Sequence, residues 1–243
     1  MWTAALWGGV SGSAVLIGAV LAMWLRIPKR VIGFVMAFGT GVLIGAAAYE
    51  LLSDTAEEKG MAPTIIGFAA GAIVFTLFDA YISKKGGASR KRSGIARGEH
   101  AGTGLAIFAG TLMDAIPESI MIGSSLLTGE GVSFLLVIAI FLSNIPEGLS
   151  STIGLRQDGY SRAKILWLWL AVVAMSVLAS MFGYAFMHRA SDEVMGMIAS
   201  FAGGGIIAMV ASSMMPEAYE DGGPLTGLAA AAGLLVSLIL DNM

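Results

Sequence analysis

Two strings of five residues, Asp114-Ala115-Ile116-Pro117-Glu118 and Ser143-Asn144-Ile145-Pro146-Glu147, set carboxylates and a proline inside long apolar segments. On a helix Asp114 and Glu118 stand one turn apart on a single face, and Ser143 and Glu147 repeat that spacing, with Asn144 beside them. Proline lacks the N–H that would reach the carbonyl four residues back, so the carbonyls of Met113 and Leu142 are released and both helices are expected to kink. Carboxylates, an amide, a hydroxyl and freed carbonyls are all oxygen donors. Such a set suits a cation or water held at depth. Charged side chains in hydrocarbon cost roughly 2.5–3.5 kcal/mol each on insertion scales, so these groups must be paired, protonated, hydrated or bound to a cation.

The elements carrying them follow from composition. Of 243 residues 56% are hydrophobic and 13% charged, which marks an integral membrane protein. Eight spans are predicted: 4–25, 31–52, 63–83, 101–127, 132–155, 163–187, 194–216 and 225–240. Connectors this short predict one transmembrane domain over 1–243, all-α, with a mobile basic cytoplasmic loop at 84–100 as the longest link. His100 in that loop is given no role.

Twelve of the fourteen lysines and arginines fall on alternate connectors, leaving Lys59 and Arg189 on the other side. By the positive-inside rule both termini are then extracytoplasmic, in a multi-pass cell membrane protein (the cytoplasmic membrane if the source is bacterial). Trp2, Trp7, Trp24, Trp167 and Trp169 fall near predicted span ends and read as an interfacial belt. The first span lacks a basic leader and reads as a retained helix. There is no cysteine, which excludes disulfides and thiolate chemistry, and no basic face interleaved with aromatics to suggest nucleic acid. Catalytic pairings of hydrolases are also missing, so no enzyme and no catalytic cofactor are expected.

Other acidic residues sit toward the mouths of the spans. Glu50 and Asp54 are candidates for an outer vestibule, and Ser213, Glu217, Glu220 and Asp221 for a cytoplasmic exit, where weak carboxylate sites would concentrate cations. Asp79 is assigned no role. The fifteen methionines, among them Met113, Met121, Met209, Met214 and Met215, form no tight cluster by helical spacing and read as adaptable filler.

Ala115-Ile116-Pro117-Glu118 aligns with Asn144-Ile145-Pro146-Glu147, although their spans run oppositely. Glu50-Leu51-Leu52-Ser53-Asp54 aligns with Ser213-Met214-Met215-Pro216-Glu217 at opposite membrane faces. Internal similarity of this kind predicts inverted repeats, spans one to three against six to eight, around a central pair. The glycine clusters at 39–45 and 203–205 would let helices approach closely and are compatible with a homodimer.

The central pair, with Pro146 to Ser150, and the Met-Met-Pro-Glu-Ala of Met214 to Ala218 resemble the Zrt/Irt-like (ZIP) divalent metal transporters over essentially all eight spans. The resemblance implies a three-plus-two-plus-three helix bundle that moves transition metals, typically zinc, toward the cytoplasm by alternating access. It places the metal between spans four and five, on Asp114, Glu118, Ser143, Asn144 and Glu147. The chain departs from the pattern as a divergent, prokaryotic-type member: Asp114 stands where the family has histidine, Ala115 where it has asparagine, and no glutamate occurs among 176–180. Span seven has Ser212 and Ser213 where polar ligands often occur.

Oxygen ligands discriminate less sharply than imidazole, so manganese, ferrous iron, cadmium and even magnesium join zinc as candidate substrates. One metal site is expected rather than two. Three carboxylates around one dication leave negative charge, so one is expected to carry a proton when the site is empty, which offers proton coupling. A proton-coupled carrier of a small polar or cationic solute, and a transport-inactive regulator of the same fold, stand as the other readings.

Overall fold

The computed structural model describes residues 1–84, 103–127 and 131–242, and every element among them is helical. The elements are α1 (Trp2–Trp24), α2 (Lys29–Ala48), a π-helical segment (Tyr49–Asp54), α3 (Thr55–Lys59), α4 (Met61–Lys84), α5 (Thr103–Ser125) and α6 (Phe134–Gln157). They continue with α7 (Arg162–Met187), α8 (Asp192–Met209), a second π-helical segment (Val210–Met214), α9 (Met215–Gly222) and α10 (Thr226–Asp241). The expected basic loop, with His100, lies outside the described residues.

Among the described residues, six helical stretches are long and apolar enough to cross a bilayer: α1, 29–59, 61–81, α6, α7 and 192–222. Two of them are compound. The π-helical segment joins α2 and α3 into 31 continuous residues, and its counterpart joins α8 and α9 into another 31. Of the remaining expected spans, α5 runs 23 residues and α10 only 16, short for an upright crossing of roughly 20 residues. The chain is a multi-pass membrane protein.

Packing divides the helices into two groups. α1 lies along α6 and α7, and α5 lies along α7; α4 lies along α8, and α10 along α2. The first bundle is therefore α1, α5, α6 and α7, and the second is α2, α4, α8 with α9, and α10. The pairings match: α10 on α2 mirrors α4 on α8, and α1 on α6 mirrors α7 on α5. Close approach depends on glycine at equivalent contacts. A Cβ on Gly41 would collide with the Ala230 carbonyl of α10, and one on Gly204 with the Phe68 carbonyl of α4. Between the bundles the main contact is α2 on α6, whereas α5 barely meets α8.

Exposure follows the membrane. Leu77, Leu228, Ile65 and Phe182 are exposed, while α6 buries most of its length at the centre. The tryptophans are corrected in part. Trp2, Trp24 and Trp167 are exposed as an interfacial belt requires, and Trp7 packs edge-on against Phe134 with ring centroids 5.6 Å apart. Trp169, however, is wholly buried, its indole N–H donating to Thr152 Oγ1 at 2.8 Å inside the first bundle. A buried indole needs such a partner, and α6 supplies it.

Candidate functional site

Pro117 and Pro146 both lie inside uninterrupted α-helices. Among the described residues, π-helical backbone falls in the two 31-residue stretches. The carbonyl of Leu142, left without its usual donor by Pro146, faces α2, where a Cβ on Gly39 would lie 3.0 Å from its oxygen and 3.0 Å from Ser143 Cα. The missing side chain is what lets α2 close over this part of α6.

The expected ligands are all buried: Asp114 5% exposed, Glu118 2%, Ser143 1%, Asn144 4% and Glu147 4%. They do not share one cavity. Asp114 and Glu118, with Pro117 and Met113, line an opening between α5 of the first bundle and α4 and α8 of the second. Its opposite wall is apolar, from Val74 and Phe75 on α4 and Phe201, Ile206 and Met209 on α8. This cavity occupies the place where α5 and α8 fail to meet.

Glu147 lines a second, much smaller cavity, together with Ser150 and Ser151 of α6, Met36 of α2, Met214 of the second π-helical segment and Glu217 of α9. Among the described residues, no three histidine or carboxylate side chains converge closely enough to hold a metal ion. Ser143 turns its hydroxyl back to the Ile140 carbonyl at 3.0 Å, a bond within its own helix.

Thr111 joins the two halves of the site. Its hydroxyl, one turn before Asp114 on α5, donates to Glu147 Oε1 on α6 at 3.1 Å, and the residue is 2% exposed. Nothing in the sequence singled it out, because its partner lies 36 positions away and threonine is ordinary inside apolar helices.

The residues expected at the mouths divide in two. Glu50 is half-buried and accepts a hydrogen bond from the hydroxyl of Ser133, which also caps α6 by accepting the Leu136 N–H at 3.0 Å. Glu217 is buried and accepts from the hydroxyl of Ser150. Both bonds tie α6 of the first bundle to the second, through or just beside its π-helical segments. Asp54 and Glu220 are exposed, Asp221 is half-buried, and half-buried Ser213 donates to the Met209 carbonyl at 2.9 Å. An exposed carboxylate can draw cations toward a mouth without holding one.

No protein-family model matches the chain. Among curated proteins, the chain is 24% identical over 237 residues, 97% of its length, to an Arabidopsis thaliana protein named "Putative zinc transporter". The chain spans 37% of the length of that relative.

Proposed function

We propose that the chain is a ZIP-like carrier that moves divalent metal cations across the membrane, zinc foremost, with Asp114, Glu118, Asn144 and Glu147 as the groups that hold them. One observation carries the reading: three carboxylates, all at least nine-tenths buried, stand midway along two helices and face the seam between two bundles. Ionised carboxylates so placed would cost several kcal/mol together without a positive partner, and a passing dication supplies it. Likeness to a protein named as a zinc transporter supports the same choice of substrate.

The route follows from the packing. Matched pairings of α10 on α2 and α4 on α8, and of α1 on α6 and α7 on α5, favour an inverted repeat and alternating access. In that scheme the first bundle, carrying α5 and α6, moves against the second. Contact is close between α2 and α6 and open between α5 and α8, and the opposite state would reverse this. By the positive-inside rule the Glu50 end faces outward and the Glu217 end faces the cytoplasm, so an ion moving inward passes from the first to the second.

The test is uptake of zinc, manganese, ferrous iron, cadmium and magnesium by proteoliposomes containing the chain. Saturable uptake that falls at least tenfold in Glu118→Gln and in Glu147→Gln is the expected result. Undiminished uptake in either variant would remove that residue from the site, and no flux of any ion through correctly inserted protein would end the carrier reading.

A further inference from the structure

Each cavity that holds buried carboxylates also holds two methionines, contributed by different helical elements. Met113 of α5 and Met209 of α8 line the cavity of Asp114 and Glu118; Met36 of α2 and Met214 line that of Glu147 and Glu217 with Ser150 and Ser151 of α6. In the second case Met214 is the last residue of a π-helical segment, a widening of the helix that re-aims its side chains.

Filler would not choose this pattern. Four of the eighteen lining positions are methionine, against 15 of 243 in the chain, and neither lining contains leucine, the commoner apolar residue here. Helical spacing could not reveal it because the paired residues come from different helices, 178 positions apart for Met36 and Met214.

We infer that Met36 and Met214 act with Glu147 and Glu217 as a mixed oxygen–sulfur stopping place for a soft or borderline divalent cation, and that their thioethers set the ion preference of the carrier. This rests on the metal-carrier reading. Two carboxylates balance a dication's charge, so the enclosed site is neutral when filled. Thioethers are uncharged, so they add ligands without upsetting that balance. Zinc, ferrous iron and above all cadmium gain from sulfur, whereas magnesium and calcium gain nothing and would still have to shed water.

The serines fit the same role. Ser150 donates a hydrogen bond to Glu217, and Ser151, 2% exposed, lines the cavity beside it. Thr40, one turn from Met36 on the same face of α2, is fully buried and its hydroxyl has no hydrogen-bond partner among the described residues. Oxygen from the Ser151 hydroxyl, which lines the cavity, would complete the coordination. The selectivity lost with imidazole is thereby recovered through sulfur.

The experiment compares the wild-type chain with the double variant Met36→Leu/Met214→Leu, a volume-conserving change, and with Met215→Leu as the control, since Met215 lines neither cavity. Two quantities are read: the ratio of cadmium to manganese uptake in proteoliposomes, and the ligand atoms around cadmium by X-ray absorption on the purified protein. A sulfur shell in the wild type that the double variant loses, with a fall in the uptake ratio of about fivefold or more, is expected from the softness of the ligands. A cadmium shell of oxygen alone, or an unchanged ratio, overturns the role of the methionines and leaves the carrier standing. Neither binding nor uptake of any ion overturns both.

Discussion

At the scale of single residues, Thr111 makes the sharpest prediction. Its hydroxyl donates to Glu147 Oε1 at 3.1 Å in a buried setting, and a hydrogen bond to a charged group contributes about 1.5–3 kcal/mol. Thr111→Val keeps the shape and removes the donor. We expect apparent zinc affinity in proteoliposomes to fall on the order of tenfold or more, and Thr111→Ser to restore it. Equal affinity in the valine variant would mean that Glu147 is oriented by something else. Ser150→Ala makes a different statement, because it strips Glu217 of the hydroxyl it accepts from. A loss of roughly 1–3 kcal/mol in thermal or denaturant unfolding is expected, since the carboxylate stays buried. The carboxylates themselves were legible in the sequence, because charge inside an apolar run is improbable without a task. Their partners were not. Thr111, Ser133, Ser150 and the four cavity methionines are ordinary residues whose meaning comes only from what a distant helix sets opposite them, and Trp169 looked interfacial until α6 supplied Thr152 for its indole.

At the scale of elements, apolar length gave most of the spans, whereas the π-helical segments were not anticipated. Proline at 117 and 146 removes a backbone donor from each helix, and α5 and α6 stay helical through both. The π-helical segments at 49–54 and 210–214 carry no proline or glycine inside them. Such a segment is an extra residue absorbed into a turn, and it leaves little compositional trace. Its signal was indirect, in the alignment of Glu50 to Asp54 with Ser213 to Glu217, which falls on or beside both. Glycines at the helix crossings were legible as close approaches, but not which helix each would meet. Gly204 sits where a Cβ would strike the Phe68 carbonyl, and backbone cannot swing aside as a side chain can. Gly204→Val is expected to part α4 from α8 and lower stability by about 1–3 kcal/mol, the range for overpacking. Gly227, which has open space around it, is the control: Gly227→Ala should be neutral or slightly stabilising in the same unfolding measurement.

At the scale of the whole molecule, the two bundles are joined across their seam by two carboxylate–hydroxyl bonds of α6, Ser133 to Glu50 and Ser150 to Glu217. Hydrogen bonds placed at the N-cap of one helix and in its C-terminal half resist sliding of that helix along its neighbours, and a carrier whose bundles move must break them in every cycle. A covalent tie at the same place should therefore stop transport without dismantling the site. The chain has no cysteine, so a pair can be introduced on a clean background. Glu50→Cys/Ser133→Cys, joined by a short bifunctional thiol reagent, links the bundles; Lys59→Cys/Asp192→Cys replaces a 3.0 Å ion pair between α3 and α8, both in the second bundle. Each double variant is measured before and after cross-linking, so that the substitutions themselves cancel. Uptake is expected to fall to background only when the first pair is linked, to return on cleavage of a reducible linker, and to persist when the second is linked, while cadmium binding survives in both. Full uptake through a carrier linked at 50 and 133 would show that α6 and α2 stay together throughout the cycle, and the moving boundary would then have to lie between α5 and its neighbours rather than between the two bundles.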